Sequence, residues 1–197
     1  DYHPEIDTGI HTMMVLDQSA SRNFGLPVRF AALLHDLGKA TTPADVLPRH
    51  IGHEERSVRL AEKLCARLKV PVDCRDLASL MARYHGNIHR SSELRAATIV
   101  GLFEKTDALR RPARFQQLLD ACLCDFTGRL GWEDRPYDSP QRLLAALVAV
   151  NAVDAGKIAL ACSDKSKIPD RVRAARVAAV KALLNEPGDE PEQQGKE

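Results

Sequence analysis

His35-Asp36 sets an imidazole beside a carboxylate where the apolar run Phe30-Ala31-Ala32-Leu33-Leu34 gives way to Leu37-Gly38-Lys39. Neighbours on a helix point about 100° apart and share no face, yet at a helix end the two can converge on one ion, and both are good ligands for a divalent metal. Such an ion needs further nitrogen or oxygen ligands, and the candidates are His11, His53, His85, His89 and Asp107, all at or near the ends of apolar stretches. A lone helical histidine is more often a hydrogen-bonded surface or core residue than a ligand. Several at converging helix ends, with a carboxylate too costly to bury unpaired, point instead to a metal cleft.

The elements that must position them read as helices. Thr8 can cap a helix carrying Ile10, Met13, Met14 and Leu16, with His11 in its first turn, and Pro27 opens a second that runs to His35-Asp36 with Gly38 as its stop. A loop from Ala40 to Gly52, broken by Pro43 and Pro48, contains His50 and delivers His53. Val58, Leu60, Ala61, Leu64, Cys65 and Leu68 then mark an amphipathic helix, and Pro71 restarts another through Leu77, Leu80, Met81 and Tyr84 to His85. Gly86-Asn87 should break that helix and leave His89 outside the ligand set. Helices are predicted over Ala96–Leu109, with Asp107 near the end, and over Ala113–Phe126, Pro140–Cys162 and Pro169–Leu184. Strand signals are nearly absent, so the fold class is all-α: a helical bundle without internal repeats. Residues Asn185 to Glu197, rich in Pro, Gly, Glu and Gln, are expected to be disordered.

Composition excludes several classes of function. With 28 Lys and Arg against 27 Asp and Glu, no global field draws the chain to nucleic acid or membrane. Any such contact must be local, as in the basic run of Lys165, Lys167, Arg171, Arg173, Arg176 and Lys181, which reads either as a solvated face or as a phosphate-backbone surface. Five cysteines in apolar surroundings, an odd number without zinc-knuckle spacing, read as buried free thiols of a reducing compartment. With no membrane-length apolar run, the chain is expected to be cytoplasmic. Asp1-Tyr2-His3-Pro4 reads like the interior of a longer polypeptide, and Trp132 in its loop either stacks a base or fills a core gap.

His11, then His35-Asp36, then Asp107, in that order and each at a helix end, resembles the HD-domain metal-dependent phosphohydrolase superfamily, as do Gly52-His53-Glu54 and Tyr84-His85. Tyr2-His3-Pro4-Glu5-Ile6-Asp7-Thr8-Gly9, His35-Asp36-Leu37-Gly38-Lys39 and Pro48-Arg49-His50-Ile51-Gly52-His53 look more closely like the HD portion of bacterial CCA-adding tRNA nucleotidyltransferases. The resemblance implies an HD-domain bundle over residues 1–112, additional C-terminal helices over 113–184, and a tail over 185–197. It implies His11, His35, Asp36 and Asp107 as ligands of one ion, and His53 and His85 as ligands of a second that Asp36 bridges. Lys39 matches a lysine that faces substrate phosphate, although a solvated lysine after a helix cap reads as well. The implied activities are 2',3'-cyclic phosphodiesterase, 2'-nucleotidase and phosphatase, with nickel, magnesium or manganese as one or two ions, and tRNA or a nucleotide 2',3'-cyclic phosphate as partner. Polymerase carboxylates have no counterpart here, so nucleotide addition is not expected of this chain.

In that chemistry a cation lowers the pKa of bound water and offsets charge on the phosphoryl oxygens. Asp36, Lys39, His53 and His85 are the catalytic candidates: His53 or His85, where not a ligand, protonates the leaving oxygen, and Lys39 neutralises a non-bridging one. His50 can serve as an outer partner of His53, and His3 as a surface or packing residue. Two other readings stand beside this one: a non-catalytic module that binds tRNA or joins two copies as a homodimer, and an HD hydrolase of free nucleotides or alarmones.

Overall fold

The computed structural model describes residues 7–185, and among these the regular secondary structure is entirely helical. The elements are α1 (Thr8–Ser21), α2 (Leu26–Leu34), α3 (His53–Leu68), α4 (Val72–His89), α5 (Ala96–Thr106), α6 (Pro112–Thr127), α7 (Ser139–Asn151), α8 (Ala155–Leu160) and α9 (Ile168–Asn185), with short 3-10 turns at Leu37–Thr41, Ser91–Glu93 and Lys165–Lys167. The all-α bundle is as expected. No helix among the described residues is long and apolar enough to cross a membrane. The tail expected to be disordered lies outside the described residues from 186 onward, as does His3.

Local chemistry sets the helix ends. Asp7, one residue before the expected cap Thr8, caps α1: its Oδ1 accepts from the amides of Gly9 at 2.6 Å and Ile10 at 3.4 Å. Pro27 opens α2, and Gly52 at φ 73° turns the chain into α3 with a conformation that costs glycine little. Two expected boundaries differ. The single helix predicted over Pro140–Cys162 is interrupted after Asn151, and α8 restarts where the Asp154 carboxylate accepts from the Lys157 amide at 2.9 Å. The helix predicted to break at Gly86-Asn87 runs on to His89. The face of α4 that carries Leu77, Met81 and Ile88 is fully buried, and this packing outweighs the roughly 1 kcal/mol a mid-helix glycine costs.

Helix α2 sits at the centre, packed on α4, α1 and α6, while α9 closes the far side over α5 and α7. The core runs continuously through Leu34, Leu77, Met81, Ile99, Phe103, Phe115, Leu118 and Leu143, with the rings of Phe103 and Phe115 edge to face at 5.4 Å. All five cysteines are buried free thiols, and burial pushes the Cys124 thiol up to about 12.

One close approach fixes how the site is assembled. Gly38, expected as the stop of α2, lies inside the 3-10 turn and its role is contact: a Cβ there would lie 2.2 Å from the carbonyl oxygen of His53 and 2.5 Å from the amide of Ser57. Its own amide donates to Ser57 Oγ at 2.8 Å and its carbonyl accepts from Arg56 Nε at 3.0 Å, so the segment after His35-Asp36 is clamped to the first turn of α3. Gly38→Ala is expected to destabilise the chain at or above the upper end of the ~1–3 kcal/mol typical of overpacking, because both obstructing atoms are backbone. A urea titration reads this directly, and an unchanged midpoint would mean the two segments can separate.

Candidate metal centre

Five elements deliver the side chains. His11 comes from the first turn of α1, His35 and Asp36 from the end of α2, His53 from the start of α3, His85 and His89 from the last turns of α4, and Asp125 from the end of α6. The imidazoles form a chain, with ring centroids 5.8 Å apart for His11 and His35, 5.4 Å for His35 and His85, 5.4 Å for His53 and His85, and 6.0 Å for His85 and His89.

Backbone carbonyls orient three of these rings in the same way. Nδ1 of His35 donates to Ala32 O at 2.8 Å, Nδ1 of His53 to His50 O at 3.0 Å, and Nδ1 of His85 to Met81 O at 2.9 Å. A carbonyl only accepts, so each Nδ1 carries a proton and each ring, when neutral, turns an Nε2 lone pair toward the centre, the tautomer a metal needs. The Nε2 atoms of His53 and His85 face each other at 3.3 Å, an arrangement a shared cation relieves.

Asp36 stands between two sets. Its Oδ2 lies 3.2 Å from His35 Nε2 and 2.6 Å from Lys39 Nζ, while Oδ1 lies 3.3 Å from His53 Nε2 and 3.7 Å from His85 Nε2. Two triads, His11-His35-Asp36 and Asp36-His53-His85, each offer ligand atoms within 4.8 Å of one another. Nε2 of His35 and Oδ1 of Asp36 are buried, yet neither makes a hydrogen bond of acceptable geometry. Two buried polar atoms aimed inward in this way, in a set of imidazoles and carboxylates, fit a divalent cation.

The structure does not bring Asp107 to this cluster. It caps α5 at φ 56°, and its carboxylate is held at the surface by Arg110 (2.6 Å) and Arg111 (3.5 Å). The carboxylate among the histidines is Asp125, with Oδ1 2.9 Å from His11 Nε2 and 3.6 Å from His35 Nε2, and Oδ2 2.7 Å from His89 Nε2. His89, expected outside the ligand set, is thus part of the cluster because α4 runs on to it, and its Nδ1 meets the Tyr137 hydroxyl at 2.9 Å. Asp125 had a signal in the sequence: it continues the apolar stripe of Leu118 and Cys122, a carboxylate on the buried phase of α6. Lys39 is buried rather than solvated. His50 is held through Nδ1 to the Thr42 hydroxyl at 2.7 Å. Trp132 packs on Phe126 at 5.0 Å beneath the guanidinium of Arg135, so its ring is engaged within the protein.

Electrostatics follow from this burial. For His35 burial opposes a charge, but Asp36 and Asp125 outweigh it and hold its pKa well above the ordinary value. Burial would raise the Asp36 carboxyl, yet His35 chiefly, with His85 and Lys39, holds it well below its usual range; His35 and His89 do the same for Asp125. Burial pushes His85 down to about 4, so it stays neutral. In the metal-free chain His35 therefore carries a proton that an ion must expel, and affinity should rise with pH, by up to about tenfold per unit for one displaced proton, until His35 is neutral on its own. Titrations with Mn(II) between pH 6 and 8 check this, and a flat profile would mean that binding displaces no proton from His35.

The cluster opens into a cleft of about 510 Å³ whose walls include Lys39, His50, Glu54 and Arg129. Residues 8–125 match the HD domain family model, and the chain belongs to that family. Among relatives, the chain is similar to the Multifunctional CCA protein of Dechloromonas aromatica (strain RCB), 78% identical over 194 residues, covering 98% of this chain and 47% of that protein. The Multifunctional CCA protein of Cupriavidus necator is 63% identical over 185 residues (93% and 45%), and that of Cupriavidus taiwanensis 61% over 191 residues (96% and 46%). The chain thus spans about half the length of the curated relatives it matches. No solved structure matches it.

Proposed function

We propose that this chain is a metal-dependent phosphohydrolase that opens nucleotide 2',3'-cyclic phosphates and hydrolyses related 2'-phosphate esters, with tRNA ends as the macromolecular substrate. The observation that carries this is the placement of Asp36, one oxygen toward His35 and the other toward His53 and His85. His11, His35 and Asp36 would hold one ion and His53 and His85, with Asp36, a second; Mg(II), Mn(II) or Ni(II) suits such a donor set. Bound there, a cation supplies an activated water near neutral pH and offsets phosphoryl charge.

The chain's own residues do the rest. Asp125 ties together His11, His35 and His89, and Tyr137 locks His89 from behind, so the ring positions are preorganised. Lys39, held 2.6 Å from Asp36, brings a cation to the cleft wall where a non-bridging oxygen would lie. Where it holds no ion, His53, the more exposed of the facing pair at 17% against 8% for His85, is the better placed to protonate a leaving 2' or 3' oxygen. The hydrolase unit is best drawn through α6, because a boundary at residue 112 would separate Asp125 from its histidines.

The test is hydrolysis of a 2',3'-cyclic nucleotide with added Ni(II), Mg(II) or Mn(II) by the parent chain and by His35→Ala. Metal-dependent turnover in the parent and none in the variant is expected; equal rates in both would remove the cluster from the mechanism. A separate observation favours an RNA-holding role alongside: Lys165, Lys167, Arg171, Arg173 and Lys181 are exposed on α9 and its lead-in. Binding of tRNA that weakens with salt and with charge reversal on this helix would support it, and salt-independent binding would not.

A further inference from the structure

A second cleft lies elsewhere. Between α3 and α4, bounded by the end of α5 and the start of α6, is a cleft of about 810 Å³. Arg83 and His85 are two residues apart on α4, about 200° around the helix, so this cleft and the histidine cluster use opposite faces. It owes nothing to the proposed hydrolase site.

Its chemistry is cationic. Lys69, Arg75, Arg83, Lys105 and Arg114 line it, against only Glu62 and Asp76. Asp76 is shared by Arg75 at 3.2 Å and Arg114 at 3.9 Å, and Arg83 is paired with Glu55 at 2.8 Å. Lys69 and Lys105 make no ion pair among the described residues. Arg114 Nη2 donates to Thr106 O at 2.9 Å, which anchors the guanidinium, but its buried Nε has no hydrogen-bond partner. Lys69 ends α3 in a left-handed backbone, φ 52°, and lines the cleft. Such a set, drawn from four helices, offers several charge-assisted donors to one multiply charged anion.

A second property narrows the ligand. The same cleft carries an apolar wall of Val58, Val70 and Leu80 with the half-buried ring of Tyr84. Its size falls within the range of small-molecule sites, about 300–1,000 Å³. A concave site with cations on one side and an aromatic and aliphatic wall on the other suits a flat ring joined to a chain of phosphates. We infer that the cleft between α3 and α4 binds a nucleoside polyphosphate, its phosphates on Lys69, Lys105 and Arg114 and its ring against Tyr84 and Leu80.

The experiment is calorimetric titration of the metal-free chain with adenosine triphosphate, with tripolyphosphate and adenosine as separate arms. The variants are Lys69→Ala/Lys105→Ala, both exposed side chains whose loss leaves the core intact, and Asp36→Asn. Adenosine triphosphate should bind the parent and Asp36→Asn equally, and the double variant at least about tenfold more weakly; tripolyphosphate should bind more weakly than the nucleotide. The inference is overturned if the nucleotide does not bind, if the double variant binds as well as the parent, if Asp36→Asn loses binding, or if tripolyphosphate matches the nucleotide. Because no metal is present, failure here leaves the hydrolase reading untouched, and failure of hydrolysis leaves this site untouched.

Discussion

Asparagine in place of Asp36 is expected to lower cyclic-phosphate hydrolysis by at least about a thousandfold, roughly 4 kcal/mol at a factor of ten per 1.36 kcal/mol, and to strip metal from the chain. The side chain keeps its shape, so the fold should survive; what disappears is the charge and one ligand oxygen on each side. Because the Asp36 carboxylate belongs to both triads, its loss leaves only His11 and His35 on one side and His53 and His85 on the other. His53→Ala is the contrast. It removes a ligand from one triad only, so the variant should retain metal at His11-His35-Asp36 while Asp36→Asn retains none. Elemental analysis beside kcat/KM for both variants decides the matter. Full metal content in Asp36→Asn would show that the carboxylate is not shared.

The difference between Asp36 and Asp107 also shows what a sequence can and cannot carry. His35-Asp36 was legible because the chemistry is local: an apolar helix ends, and an imidazole and a carboxylate leave it together. The phases of α1, α3 and α4 were legible for the same reason, since a buried stripe at helical spacing is written in neighbouring residues. Which distant carboxylate meets the histidines depends instead on how α6 crosses α1, α2 and α4, and no short-range pattern encodes a crossing. Asp107 follows a helix much as Asp36 does, but it emerges in a left-handed turn, and Arg110 and Arg111, three and four residues on, hold it at the surface. His89 was hidden by a propensity argument that was sound for an isolated helix. Gly86 and Asn87 weaken α4 locally, but Ile88 is fully buried beyond them and the carboxylate of Asp125 holds His89 itself at 2.7 Å. Long-range partners decided both positions.

Exchanging each of the two carboxylates for alanine turns that distinction into a measurement. Asp125→Ala is expected to destabilise the metal-free chain by on the order of 3 kcal/mol, because it removes the acceptor shared by His11, His35 and His89 and leaves a raised-pKa imidazole buried beside a hole. The sign of its pH dependence follows from the Asp125 pKa, which lies well below the ordinary value in the fold. Its stabilising effect is therefore present above the unfolded-state pKa, near 3.9, and is lost as pH falls through the folded-state value. The stability gap between parent and variant should accordingly stand at pH 7 and close under strong acid. Asp107→Ala removes surface ion pairs with Arg110 and Arg111, which water and salt already screen, and sets alanine in a left-handed turn at φ 56°, so it should cost no more than about 1 kcal/mol in a urea titration and leave metal binding unchanged. Were Asp107→Ala to abolish metal binding while Asp125→Ala spared it, the carboxylate that closes the site would have to be reassigned to α5, against the contacts that place Asp125 among the histidines.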